Sequence, residues 1–250
     1  ACPDACSIVD VNDKSTALHL CAADGQYPSS LLTSLITIAP DTVTAKDSKA
    51  RLPLHRLAES GKATPNEFTT LLFASPAAAS KPTSTGDYPL HLALRSGTPP
   101  DIIMLLASTF PGAVALSDTS GVYPLHRVCS SKYLYPVGDC EIVEVLHKAA
   151  PLVARELDRH RERPLIHALT RGFPISIIKM LLQASADAIT DIDVDTRSTV
   201  LHCAVRGNVG SGVIRMILEA DVIGRVIKAR APLISCEDAD GKTALHVALE

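Results

Sequence analysis

The chain has 250 residues, 46% hydrophobic and 20% charged, with a formal net charge of -3. That is too apolar for a disordered chain and too acidic for a typical nucleic-acid binder, and 4% aromatics with no Trp leave little to stack on bases. No run approaches the roughly 18 apolar residues of a membrane span, and seven cysteines without paired Cys-x-x-Cys spacing read as thiols, not as a disulfide frame or a zinc knuckle.

The remaining signal is self-similarity. Pro3-Asp4-Ala5 parallels Pro40-Asp41-Thr42, so residues 1–10 read as the tail of a preceding repeat. Thr16-Ala17-Leu18-His19 opens a short helix ended by Gly25, and an apolar helix over 29–38 follows, stopped by Pro40. Leu52-Pro53-Leu54-His55 restarts the pattern, with Gly61, a helix over 65–74 and Pro76. Tyr88-Pro89-Leu90-His91 does so again, with Gly97, a helix over 100–110 and Pro111. Tyr123-Pro124-Leu125-His126 opens a fourth copy; extra residues around 130–139 delay its second helix to 140–149, before Pro151. Arg163-Pro164-Leu165-Ile166 is a degenerate fifth copy without the histidine, followed by Gly172 and a helix over 175–184. Thr199-Val200-Leu201-His202 is the sixth, and its second helix starts near Gly212; apolar residues running on through Val222, Ile223, Val226 and Ile227 to Pro232 predict an extension of that helix or a short additional one. Thr243-Ala244-Leu245-His246 begins a seventh.

Each string has a physical reading. Thr before the helix is a natural N-cap, Pro at the first helical position loses no needed N–H, and Gly six residues past the motif histidine suits a left-handed helix end. The recurring prolines stop the second helices. The stretch from each proline to the next string predicts an extra turn before a projecting hairpin, or finger. Leu52, Tyr88, Tyr123 and Arg163 cannot cap as Thr does, so those helix starts must be satisfied otherwise. Lys132 and Asn208 stand where the helix-ending Gly is expected.

These strings resemble the Thr-Pro-Leu-His motif of ankyrin repeats, in a divergent form with a period of about 36 residues in place of the usual 33 or so. The resemblance implies an all-α solenoid of antiparallel helix pairs joined by projecting loops. It forms a single array over 1–250, with repeats at about 11–46, 47–82, 83–117, 118–157, 158–193 and 194–237 and a partial seventh over 238–250. Both ends read as cut within a longer array. It further implies that His19, His55, His91, His126, His202 and His246 are structural, hydrogen-bonding backbone and neighbouring loops. The function implied is a protein-binding scaffold or adaptor that takes its partner on the concave face. The second reading is a regulatory or substrate-recruiting region of a larger enzyme or channel whose active domain lies outside this chain.

By register, the partner-binding positions are the residue four before the motif position and those four and five after it. They include Arg51, Glu59, Asp87, Arg95, Arg171 and Arg206, with Ser60, Ser96, Glu162 and Thr170 beside them; Arg159 joins them from a basic finger with Arg155, His160 and Arg163. Arginine suits planar, bidentate pairing with carboxylates. No catalytic residue, metal ligand set or cofactor is expected. Histidines placed one per repeat, with stacked helices about 8–10 Å apart, cannot converge on one ion. His167 reads as a mark of the drifted fifth repeat, and Cys203 as core packing. No nucleophile elbow, phosphate loop or dinucleotide fingerprint occurs. The expected setting is an intracellular, cytoplasmic or nuclear monomer with a protein partner, no nucleic acid and no membrane segment.

Overall fold

The computed structural model of the chain describes residues 9–24, 27–130, 139–193, 195–228 and 232–249, with side chains at all of these but 139, 186 and 222–228. The expected leading tail up to residue 8, the helix-ending Gly25, and most of the insertion of repeat four with Lys132 lie outside the described residues.

The architecture is all-helical, and among the described residues β structure is confined to isolated antiparallel bridges such as Val9–Thr16 and Ile192–Thr199. Two compact parts make up the chain, Ala1–Ser120 and Gly121–Glu250. The first holds α1 (Ala17–Asp24), α2 (Ser29–Ile38), α3 (Pro53–Ser60), α4 (Pro65–Ala74), α5 (Pro89–Ser96) and α6 (Pro100–Thr109). The second holds α7 (Pro124–Ser130), α8 (Asp139–Ala149), α9 (Pro164–Thr170), α10 (Ile175–Ala184), α11 (Val200–Arg206), α12 (Ser211–Lys228) and α13 (Ala244–Ala248). In each part, first helices stack on first helices, and each also packs on its own second helix.

The second helices bury the stripe their spacing predicts. Ile102, Ile103, Leu106 and Ala107 face inward on α6, and Ile177, Ile178 and Leu181 on α10. The first helices are buried more completely: Pro89 to Leu94 are all buried on α5, and Ala22, Ala58, Ala93 and Ala204 have no exposed surface. Small residues there let neighbouring helices approach, as a core with few aromatics requires. Phe110 caps α6 instead of extending it. The sixth second helix is indeed long, reaching Lys228, and Pro232 precedes the next turn.

The expected extra turn is a single turn of 3-10 helix. It recurs at Pro40–Thr44, Pro76–Ser80, Pro111–Ala115, Pro151–Arg155 and Ala186–Thr190. Each proline-led turn buries two small or apolar residues, such as Ala113 and Val114 or Val153 and Ala154. The turn therefore adds a layer to the core and is the physical origin of the longer period. Cys21 and Cys203 are buried free thiols, and burial pushes the Cys203 thiol up to about 12. Among the described residues no helix is long and apolar enough to cross a membrane.

Candidate functional site

The motif histidines sit at the joints between repeats. Each ring has one acceptor and one donor when neutral, and at His19, His55, His91 and His202 the structure engages both. On one side, Nδ1 accepts the backbone N–H three residues earlier: Thr16 to His19 at 3.2 Å, Leu52 to His55 at 3.0 Å, Tyr88 to His91 at 3.2 Å and Thr199 to His202 at 3.3 Å. On the other, Nε2 donates to a carbonyl of the next finger: His19 to Arg51 at 2.9 Å, His55 to Lys81 at 2.8 Å, His91 to Leu116 at 3.0 Å and His202 to Lys242 at 2.9 Å. His126 Nε2 lies 3.1 Å from both the Glu156 and the Glu162 carbonyl. These rings are buried; burial pushes His55 and His126 down to about 4 and lowers His19 and His91. His246 is exposed, with Nδ1 accepting the Thr243 N–H at 3.1 Å. The helix starts at Leu52 and Tyr88 thus receive their cap from an imidazole three residues on, not from a side chain at the cap position.

Repeat five has Ile166 in place of the ring, 1% exposed. Its onward tie is ionic: Arg163 pairs with Asp191 at 2.5 Å, close to where a motif histidine would reach the following segment.

The fingers share a fold of their own. Asp47, Asp158 and Asp238 each accept, through Oδ1, the N–H groups two and four residues on, at 2.8–3.1 Å. Five residues before the motif position the backbone turns left-handed in all seven copies: Lys14, Ala50, Gly86, Gly121, Arg161, Arg197 and Gly241 have φ from 53 to 80°. Successive fingers are tied by single backbone bonds, Ser48 to Asp13 at 2.7 Å and Ser84 to Lys49 at 2.9 Å.

The residues expected to face a partner are held by these fingers. Arg51 is 9% exposed and pairs with Asp47 and Glu59, both at 2.8 Å. Its charge is therefore spent inside the protein, and Glu59 carries the accessible end of the pair. Asp87 is also buried, and Arg95, with 47% of its side chain exposed, reaches it at 2.9 Å. In the second part Arg159 is exposed and its Nε meets His160 Nε2 at 2.9 Å. Arg171 donates to the Val128 carbonyl at 3.1 Å and lies 5.3 Å from the centroid of the Phe173 ring. Arg206 pairs with the buried Asp238 at 2.7 Å. Arg163 Nε donates to the Arg155 carbonyl at 3.1 Å. The structure thus brings these side chains to finger and first-helix positions, most of them already paired.

No family model matches the chain, and no curated protein sequence does. Solved structures do match. The crystal structure of the human ASB11 ankyrin repeat domain aligns with a TM-score of 0.63 at 23% identity, covering 93% of this chain and 91% of that one. The chain has the ankyrin-repeat fold.

Within that fold, two features of this chain escape the motif. The left-handed finger position carries Gly in three copies and Lys, Ala or Arg in the others; the in-phase Gly86, Gly121 and Gly241 were the available signal. The other is a meeting of Asp158, Glu162 and His167 in the fifth ankyrin repeat, whose ligand atoms lie within 4.8 Å of one another. Their spacing of four and five residues matches no local metal motif, because the finger brings them together by folding back.

Proposed function

We propose that this chain is a protein-interaction module that takes its partner on the finger and first-helix surface of its ankyrin repeats. One observation carries the reading. Along that surface, arginines are fixed in place by finger or helix carboxylates, as in Arg95–Asp87 and Arg206–Asp238. A guanidinium anchored by a buried carboxylate keeps donors for a partner while losing little side-chain entropy on binding. Glu59 and Arg159 add accessible charges of both signs, each on its own part. The similarity to the ASB11 ankyrin repeat domain supports this choice of class, since that chain has the same architecture.

The test is capture on the immobilised chain, with the bound protein identified by mass spectrometry and its affinity then measured with purified components. Glu59→Gln and Arg159→Glu alter exposed charges and leave the buried Arg51–Asp47 pair intact. Together they should weaken binding at least about tenfold, the range expected when interfacial charges are removed or reversed, while circular dichroism stays unchanged. Full binding by the double variant would move the interface off this surface.

A further inference from the structure

Asp158, Glu162 and His167 converge in the one repeat that lacks its motif histidine. Asp158 Oδ1 is occupied by the N–H groups of His160 and Glu162, and Oδ2 accepts from His167 Nε2 at 3.0 Å. That bond places a ring proton on Nε2 and turns Nδ1 toward Glu162, whose Oε2 is 3.5 Å away. The gap is too long for a hydrogen bond. When Nδ1 carries no proton, its lone pair faces a carboxylate oxygen, an arrangement that a bound cation stabilises. Ligand atoms each about 2.1 Å from a tetrahedral zinc ion lie about 3.4 Å apart, which is the separation found here.

Glu162 supplies an independent sign. Its side chain is only 10% exposed, and its carboxylate makes no hydrogen bond among the described residues. The equivalent positions in other repeats are compensated: Arg51 by Asp47, Asp87 by Arg95, and Ser198 by Arg206. A groove of about 530 Å³ opens beside Glu162 and His167, lined also by Ser130, Thr170, Arg171 and Asp193. Asp158, Glu162 and Asp193 against Arg171 leave an excess of two negative charges, which a divalent ion cancels. Among the described residues, no other three metal-ligating side chains come this close.

We propose that Glu162 and His167 ligate a divalent transition-metal ion of the zinc class, with Asp158 orienting the imidazole from behind. An imidazole nitrogen beside a carboxylate suits zinc better than calcium or magnesium, which prefer all-oxygen shells. The carboxylate–histidine pair is the usual support for such a ligand. The remaining positions face the groove and are open to water. This site is distinct from the motif histidines, and at His19, His55, His91 and His202 both ring nitrogens are taken by backbone groups. It does not depend on the protein-binding reading.

The experiment is titration of the chelator-treated, reduced chain with Co²⁺, followed by displacement with Zn²⁺. One Co²⁺ per chain is expected, with visible ligand-field bands and no sulfur-to-cobalt charge-transfer band in the near ultraviolet. Glu162→Gln and His167→Gln, both checked for folding by circular dichroism, should each weaken binding by at least about tenfold. Absence of stoichiometric binding would overturn the site and leave a proton shared by His167 and Glu162 in its place. A thiolate spectrum, or affinity unchanged in both variants, would overturn it equally.

Discussion

At the scale of single residues, the motif histidine acts as both cap and joint. A neutral imidazole is the side chain that can accept a helix-start N–H at one nitrogen and donate to a neighbouring carbonyl from the other. His91 shows the pair of bonds, to Tyr88 N–H at 3.2 Å and to the Leu116 carbonyl at 3.0 Å. Replacing it by Ala strands both backbone groups in a site where the ring is 4% exposed. The expected cost is about 2–3 kcal/mol, from two lost hydrogen bonds and a buried unsatisfied acceptor. Urea unfolding of His91→Ala followed by circular dichroism measures it; a loss below about 0.5 kcal/mol would show that solvent reaches the stranded groups. The metal content should match that of the parent chain, because neither ring nitrogen is available to an ion.

At the scale of elements, the sequence was legible wherever one residue type has one physical use. The prolines stopped the second helices within a residue or so, and Pro-Leu-His placed the first helices. The residues after each proline correctly required an extra turn, though not that it would be 3-10 and half buried. The finger was less legible, because its geometry is enforced by backbone bonds that tolerate several residue types at a strained position. Ala50 has φ 56° where Gly86 has φ 80°. Left-handed backbone costs a residue with a Cβ roughly 1–2 kcal/mol, partly offset by the greater freedom glycine gives the unfolded chain. Ala50→Gly should therefore stabilise the first part by about 0.5–1 kcal/mol. Gly61→Ala should do the reverse and more. Its φ is 65°, and the added Cβ would stand 2.8 Å from the Ser96 carbonyl oxygen of the next repeat. A loss above about 1 kcal/mol is expected, since strain and a backbone clash act together. Paired denaturation curves check both signs; a destabilised Ala50→Gly would mean that the methyl group packs more than the backbone is strained. The candidate metal cluster was invisible for a related reason. Nothing in the spacing of Asp158, Glu162 and His167 announces a site until the finger doubles back on the helix that follows it.

At the scale of the whole molecule, the repeated joint makes stability depend on pH in a definite direction. His55 is pushed by burial down to about 4, and His19 and His91 are lowered from their ordinary value for the same reason. In the unfolded chain these rings titrate near 6.5. Between those values the unfolded state binds protons that the folded state refuses, so stability falls as the pH falls. The stabilisation is complete above about pH 6.5, declines from there to about pH 4, and loses nothing further from His55 below that. A shift of this size corresponds to about 3 kcal/mol for His55 alone. Carboxylates take over at lower pH. Burial opposes the Asp47 charge, but the N–H groups and guanidinium of Arg51 outweigh it and hold the carboxyl below its ordinary range. Its contribution is lost only as the pH drops through that lowered value. Acid unfolding therefore has two windows, an imidazole window first and a carboxylate window below it. Repeat arrays give up stability locally, so the joint at His55 should open before a more acid-tolerant one. Urea midpoints at pH 7.5, 5.5 and 4.5 should fall steadily for the parent chain. In His55→Gln, which keeps a donor and an acceptor but cannot titrate, the midpoint should start lower at pH 7.5 and fall by less. Parallel pH profiles for the two proteins would show that the ring does not carry the acid response.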